Sequence, residues 1–191
     1  GDGTAVWMGR ITPTKGTHLA AQAAKLAGIP LTLYGTIEDQ TYFDKEILPL
    51  LGEGARYGGH LQGKDLAEAI ARASALLFTP LWDEPFGLAA IEAMACGLPI
   101  AAVENGAIHE VAGDLARYAG ADAGELANAL KEAIIIPRSA ARKRVERLFT
   151  LEGMLGEYEG LYNQAIEAVG DGFDAPVFEA FELPQIECAS P

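Results

Sequence analysis

Residues 75–103 read ALLFTPLWDEPFGLAAIEAMACGLPIAAV, and the order of residue types in this stretch decides the fold. Ala75–Phe78 is a four-residue apolar run closed by Pro80, a residue that cannot continue a central strand. From about residue 87 to 96 the apolar residues take helical spacing, and Gly97 closes the segment. Pro99–Val103 is a second short apolar run. Two strands without polar alternation, joined through a helix, are the unit of a parallel sheet covered on both faces.

The same unit repeats to either side. Ala5–Met8 reads as a first buried strand ending at Gly9, followed by a helix over about 16–27 with Leu19, Ala23 and Leu26 on one face. Pro30 opens a strand at Leu31–Tyr34, closed by Gly35, and a helical segment is expected around Tyr42–Leu51. A short third strand is expected over Arg56–Gly59, and a helix over Asp65–Ala73 leads into Ala75–Phe78. Downstream, the pattern predicts a short helix near Ile108–Val111, a strand at Arg117–Ala119, and helices near 123–135, 139–148 and 151–169. The last carries an apolar stripe of Met154, Tyr158, Leu161, Tyr162 and Ile166. The expected architecture is one doubly wound, Rossmann-like α/β domain over residues 1–169, with an acidic, Pro-containing tail over 170–191. Ligands of such a sheet sit at the carboxyl ends of its strands.

Half of the 191 residues are hydrophobic, enough for a sizeable core. The net charge of −13 is uneven. Residues 1–150 hold all 14 Lys/Arg against 18 Asp/Glu, a balance of −4, whereas residues 151–191 hold only 9 acids, a balance of −9. An acidic chain argues against nucleic-acid partners, which need cations to replace counterions. Cys96 and Cys188 lie 92 positions apart without CxxC spacing, which excludes a cysteine-based zinc site. No stretch reads as a targeting leader, and no apolar run reaches the ~20 residues needed to span a bilayer. The expected location is cytoplasmic. The Gly1–Thr4 opening runs at once into a strand, which reads as a piece cut from a longer protein.

Two constellations carry chemistry. Gly9-Arg10-Ile11-Thr12-Pro13-Thr14-Lys15-Gly16 follows the first strand and enters the next helix. Two cations at such a turn can neutralise a diphosphate, Arg10 as a fork and Lys15 as a point charge. The turn also fits an ordinary loop with two solvated cations. GxGxxG and GxxxxGK[ST] are both absent. The second constellation, Pro80–Gly97, places Glu84 in a loop and Glu92 within the first two turns of a helix. A helix starting near Phe86 or Gly87 aims the unpaired N–H groups of Phe86–Leu88 outward, a site suited to phosphate. Gly87, lacking a Cβ, would admit the ligand close to the backbone. Glu92 then lies ~7 Å further along the helix, at ~1.5 Å per residue, within reach of a ribose diol. Carboxylates are poor phosphate ligands and good diol ligands, so acids mixed with anion-binding amides point to a sugar phosphate. The plainer account, Glu84 as a helix cap and Glu92 on a solvated face, leaves a lone acid on a mostly apolar helix.

Glu84-Pro-Phe-Gly-Leu followed by Glu92-Ala-Met-Ala-Cys-Gly-Leu-Pro is similar to the E-x7-E signature of the retaining, GT-B-fold group 1 glycosyltransferases. That family includes many sucrose, glycogen and lipopolysaccharide sugar transferases. Gly9, Arg10, Pro13, Lys15 and Gly16 resemble its paired Arg/Lys element, and Asn105–Val111 resembles the segment after E-x7-E. The resemblance covers about residues 4–168. It departs from the family's pattern at Gly106-Ala107, where two glycines are common, and over Tyr57–Leu61. It implies the carboxyl-terminal, donor-binding half of a GT-B fold. In that arrangement Arg10, Lys15 and Glu84 act at the reacting centre, with the first two on the donor diphosphate. Glu84 and the backbone of Pro85, Phe86, Gly87 and Leu88 hold the sugar and distal phosphate, beside Gly9. Glu92 takes the ribose, and the base rests near Tyr34, Gly35, His60 and Leu61.

The implied substrate is a nucleoside diphosphate sugar carrying UDP or GDP, with no cofactor and no metal. The implied partner is an amino-terminal acceptor-binding domain before Gly1, without which residues 1–191 should bind donor weakly and turn over little. Alternatives are a sugar-nucleotide-binding module without turnover and a GT-B sugar-nucleotide epimerase. A nicotinamide dehydrogenase is disfavoured by the missing GxGxxG. Trp82 and Phe86 either line the pocket or pack, His60 and His109 either touch substrate or serve the structure, and His18, on the first helix, is read as structural. Arg138, Arg142, Lys143, Arg144 and Arg147 form a basic cluster. It is read as a solvated face pairing with the acidic tail, or else as a peripheral contact with anionic lipid.

Overall fold

Six strands build one sheet: β1 (Ala5–Met8), β2 (Leu31–Tyr34), β3 (Ala55–Tyr57), β4 (Ala75–Phe78), β5 (Ile100–Val103) and β6 (Ala116–Ala119). They lie in the order β3-β2-β1-β4-β5-β6 and every pair is parallel. The computed structural model describes residues 1–52 and 54–169, so the tail expected over 170–191 lies outside the described residues. The connecting helices are α1 (Thr17–Ala27), α2 (Gln40–Tyr42), α3 (Gly63–Arg72), α4 (Leu88–Ala95), α5 (Ile108–Ala112), α6 (Ala123–Ala133) and α7 (Arg138–Leu148).

Successive strand residues face opposite sides, and here both sides are apolar. Trp7, Leu33, Leu77, Ala101 and Val103 pack under α1 and α6 in one buried cluster. Val6, Met8, Leu76, Phe78, Ile100 and Ala102 pack on the other side with Ile70 of α3, Ala93 and Met94 of α4, and Val111 of α5. That is why β4 and β5 read as unbroken apolar runs. The doubly wound sheet predicted from the sequence is the sheet found.

The segment after β2 differs from the single helix expected around Tyr42–Leu51. A short α2, capped by the Asp39 carboxylate on the Tyr42 amide at 2.8 Å, passes into a π-helical turn over Phe43–Ile47 and a 3-10 turn over Leu48–Leu50. Pro49 cannot donate to an α-helical ladder, so the helix cannot continue through it. The turn still buries Phe43 and Ile47 against the first cluster.

The basic cluster of α7 has a structural use. Arg138 donates to the carbonyls of Ala71, Ala73 and Cys96, Arg142 to Ala95, and Arg144 to Val111 and Glu110. These are the last carbonyls of α3, α4 and α5, which have no partner inside their own helices and carry partial negative charge. Lys143 and Arg147 remain exposed. The reading of all five as one solvated basic face is therefore corrected.

The α/β unit comprises Gly1–Thr150, and a second unit begins at Leu151. Its described part is α8 (Leu151–Val169), on which Met154, Tyr158, Leu161, Tyr162 and Ile166 are exposed. No described helix is long and apolar enough to cross a membrane.

Candidate functional site

The strand order reverses direction between β1 and β4, so the loops leaving these neighbours turn to opposite sides and open a crevice. Both constellations picked out in the sequence leave the sheet here. The crevice is divided into two cavities that share Met8, Gly9 and Ala89. The larger, about 310 Å³, is lined by Lys15, Glu84, Pro85, Phe86, Gly87 and Leu88. The smaller, about 200 Å³, is lined by Arg10, Tyr34, Gly35, His60, Leu61 and Glu92. With Gly9 at their junction, every residue selected from the sequence lies on one or the other.

The two loops are sewn together beneath the site. The buried Thr79 hydroxyl accepts the Trp7 indole N–H at 3.0 Å and donates toward the carbonyls of Lys15 at 2.9 Å and Gly16 at 3.0 Å. The Leu81 amide donates to the Thr14 carbonyl at 2.8 Å. Gly16 caps α1 at φ 62°, and a Cβ there would run into the Thr79 carbonyl. A left-handed residue without a side chain is what lets the loops meet. On the far side, the Ala107 amide donates to the Glu84 carbonyl at 2.9 Å, which ties the β5–α5 loop to the acid.

Lys15 and Glu84 form an ion pair across the crevice, with their side chains 20% and 15% exposed. The Trp82 indole donates to the same carboxylate oxygen at 3.1 Å, and the Lys15 ammonium lies 5.1 Å from the Trp82 ring centroid. Arg10 pairs with Glu38 at 3.2 Å in a more exposed setting. The Ile11 amide, bound to the Thr36 carbonyl at 2.8 Å, fixes the backbone that carries Arg10. Both cations thus rest on carboxylates that an anionic ligand can replace.

Helix α4 starts one residue later than expected, at Leu88, with Gly87 as its cap at φ 85°. The open amides shift accordingly to Leu88 and Ala89, since Ala90 already donates to the Gly87 carbonyl. A Cβ on Gly87 would lie 3.1 Å from the Phe78 ring. Its glycine is therefore demanded by backbone angle and packing, and it also lies on the wall of the larger cavity. Glu92 is exposed, and its side chain has no ion pair or hydrogen bond among the described residues. Glu84 is not a helix cap.

Around the smaller cavity, Thr36 Oγ1 lies 3.3 Å from His60 Nδ1, and Gln62 Nε2 donates to His60 Nε2 at 2.6 Å. The ring nitrogens of His60 are engaged within the protein, so it offers the cavity its ring face and backbone. His109 stacks on Tyr118 at 3.8 Å and pairs with Glu104 at 2.9 Å, and it lines neither cavity. His18 sits at the start of α1, its Nδ1 2.6 Å from the Tyr42 hydroxyl, and burial lowers its pKa.

Thr79, Glu38 and the Trp82 contact were missed in the sequence. Thr79 and Glu38 lie outside the motifs, and their partners are 28 to 72 residues away. No sequence signal marks them.

Paired cavities at the switch point of a parallel α/β sheet, with cations and acids at strand ends, define a class of crevice-binding doubly wound domain. Within that class, residues 1–147 match the family described as glycosyl transferases group 1, and the chain belongs to it. The chain is 30% identical over 146 residues to D-inositol 3-phosphate glycosyltransferase of Mycobacterium avium (strain 104), covering 71% of this chain and 34% of that protein. It is 30% identical over 172 residues to MMP alpha-(1->4)-mannosyltransferase of Mycolicibacterium hassiacum, covering 82% and 42%. Among solved structures, sucrose-phosphate synthase from Thermosynechococcus elongatus superposes with a TM-score of 0.73 at 28% identity. That match covers 87% of this chain and 46% of that one. The chain thus spans less than half the length of these relatives.

Proposed function

We propose that this chain is the donor-binding domain of a retaining hexosyltransferase that uses a UDP- or GDP-sugar. One observation carries the reading: the cations, the open helix amides and the two acids are distributed over adjoining cavities in the order a nucleotide sugar presents its parts. The nucleoside occupies the smaller cavity, with Glu92 accepting from the ribose hydroxyls and the base against Tyr34, Gly35, His60 and Leu61. The diphosphate crosses at Gly9 and Ala89, between Arg10 and Lys15 and in front of the Leu88 and Ala89 amides. The sugar enters the larger cavity beside Glu84, Phe86 and Gly87.

In the reaction, the bond from the anomeric carbon to the diphosphate oxygen breaks with its electron pair on that oxygen. The acceptor hydroxyl oxygen bonds to the same carbon and passes its proton to the departing diphosphate oxygen. Negative charge grows on the diphosphate as it leaves. Preorganised cations and helix amides there stabilise the transition state more than the ground state. Arg10 and Lys15 supply the charge that a metal supplies elsewhere, so turnover is metal-independent. The acceptor is a hydroxyl compound bound chiefly by a second, amino-terminal domain of the same protein, in keeping with the greater length of the relatives. The test is ligand-observed NMR with UDP-, GDP- and ADP-sugars. The expected result is saturation transfer to both nucleoside and sugar protons of one of them, and transfer to none contradicts the reading.

A further inference from the structure

We propose that Trp82 is a positioning residue for the sugar-facing carboxylate, its indole N–H holding Glu84 while its ring face carries the Lys15 ammonium. The inference rests on the donor-site reading above and adds a residue to it.

Trp82 is 42% exposed and belongs to neither buried apolar cluster. A tryptophan that stabilised the fold by packing would be largely covered. Its contacts are instead with the two ionised groups of the site. The indole N–H reaches Glu84 Oε2 at 3.1 Å, and the ring centroid is 5.1 Å from Lys15 Nζ, inside the ~6 Å range of a cation–π contact. Lys15 pairs with that same Oε2. The three side chains close a ring in which both donors use one carboxylate oxygen. Oε1 of Glu84 has no partner among the described residues.

The consequence appears when an anion enters. A diphosphate draws the Lys15 ammonium toward itself and removes the cation from Glu84. A carboxylate only 15% exposed would then lose its one charged partner among the described residues. The indole N–H carries no net charge, so a phosphate pulls on it far less than on the ammonium, and it comes from a residue two positions away on the same loop. It therefore stays on Oε2 and fixes the plane of the carboxylate, leaving Oε1 to accept from a sugar hydroxyl.

The test uses calorimetry on the 191-residue chain with UDP-glucose and GDP-mannose, each beside UDP or GDP alone. Trp82→Phe keeps a ring face for Lys15 and deletes the N–H. It is expected to weaken the nucleotide sugar about tenfold, the worth of one hydrogen bond to a charged group, and to leave the nucleoside diphosphate unchanged. Trp82→Leu, which also deletes the ring face, is expected to weaken both ligands. In a Glu84→Ala background, Trp82→Phe should cost nothing further. Equal weakening of diphosphate and nucleotide sugar by Trp82→Phe, no weakening of either, or additivity with Glu84→Ala overturns the proposal. Failure of the wild-type chain to bind any of the four ligands overturns the donor-site reading itself and the proposal with it.

Discussion

Lys15 and Glu84 are 69 positions apart in sequence and in contact in space because Thr79 and Gly16 hold their loops together. The seam makes a specific residue prediction. Gly16→Ala forces a left-handed residue with a Cβ against the Thr79 carbonyl. It should lower stability by roughly 2 kcal/mol in denaturant unfolding, the scale of strained backbone plus local clash. A change within experimental error would show that the loops yield freely. A second prediction concerns pH. The Tyr42 hydroxyl accepts the His18 backbone N–H at 3.1 Å and lies 2.6 Å from His18 Nδ1. Burial lowers the His18 pKa below its ordinary 6.5. The unfolded chain then takes up a proton at higher pH than the folded one, so stability is full above about pH 6.5 and falls as pH drops below it. Thermal unfolding at about pH 7.5 and about pH 5.5 should show this loss in the wild type and a smaller one in His18→Gln. The residues lining the crevice were legible as types, because a diphosphate and a diol dictate cations and carboxylates near a glycine turn. The Trp82–Glu84–Lys15 ring was not, since it depends on which loops the topology brings together.

At the scale of elements, the strands and helices read directly from apolar runs, and the departures have local causes. Pro49 broke the helix expected around Tyr42–Leu51, and Gly87 at φ 85° delayed α4 by one residue. The basic cluster was the feature least legible from spacing. Its arginines look solvated along α7, yet three of them satisfy carbonyls at the ends of α3, α4 and α5. Only tertiary packing reveals that these helices end side by side. Arg138→Ala should therefore cost about 2 kcal/mol, the scale of lost charged hydrogen bonds to helix-end carbonyls. Arg138→Lys should recover only part of it, because a point charge cannot serve three carbonyls as a fork does. Calorimetric unfolding distinguishes this from a surface position, where both substitutions would be near neutral.

For the whole molecule, the strand order alone places the crevice between β1 and β4, and the family match over residues 1–147 includes both constellations that line it. Each constellation reaches both cavities: Gly9–Gly16 places Arg10 on the smaller and Lys15 on the larger, and Pro80–Gly97 places Glu92 on the smaller and Glu84 on the larger. If cations replace a metal, sugar transfer by the full-length protein should be unchanged by EDTA, and a loss restored by magnesium would refute that part of the mechanism. The central claim is that Lys15 and Glu92 bind opposite ends of one nucleotide sugar. Isothermal titration of UDP- and GDP-sugars into the wild-type chain, Lys15→Ala and Glu92→Ala tests it most directly. The account predicts weaker binding in both variants, with only Lys15→Ala also weakening inorganic diphosphate, and unchanged affinity in both would contradict it.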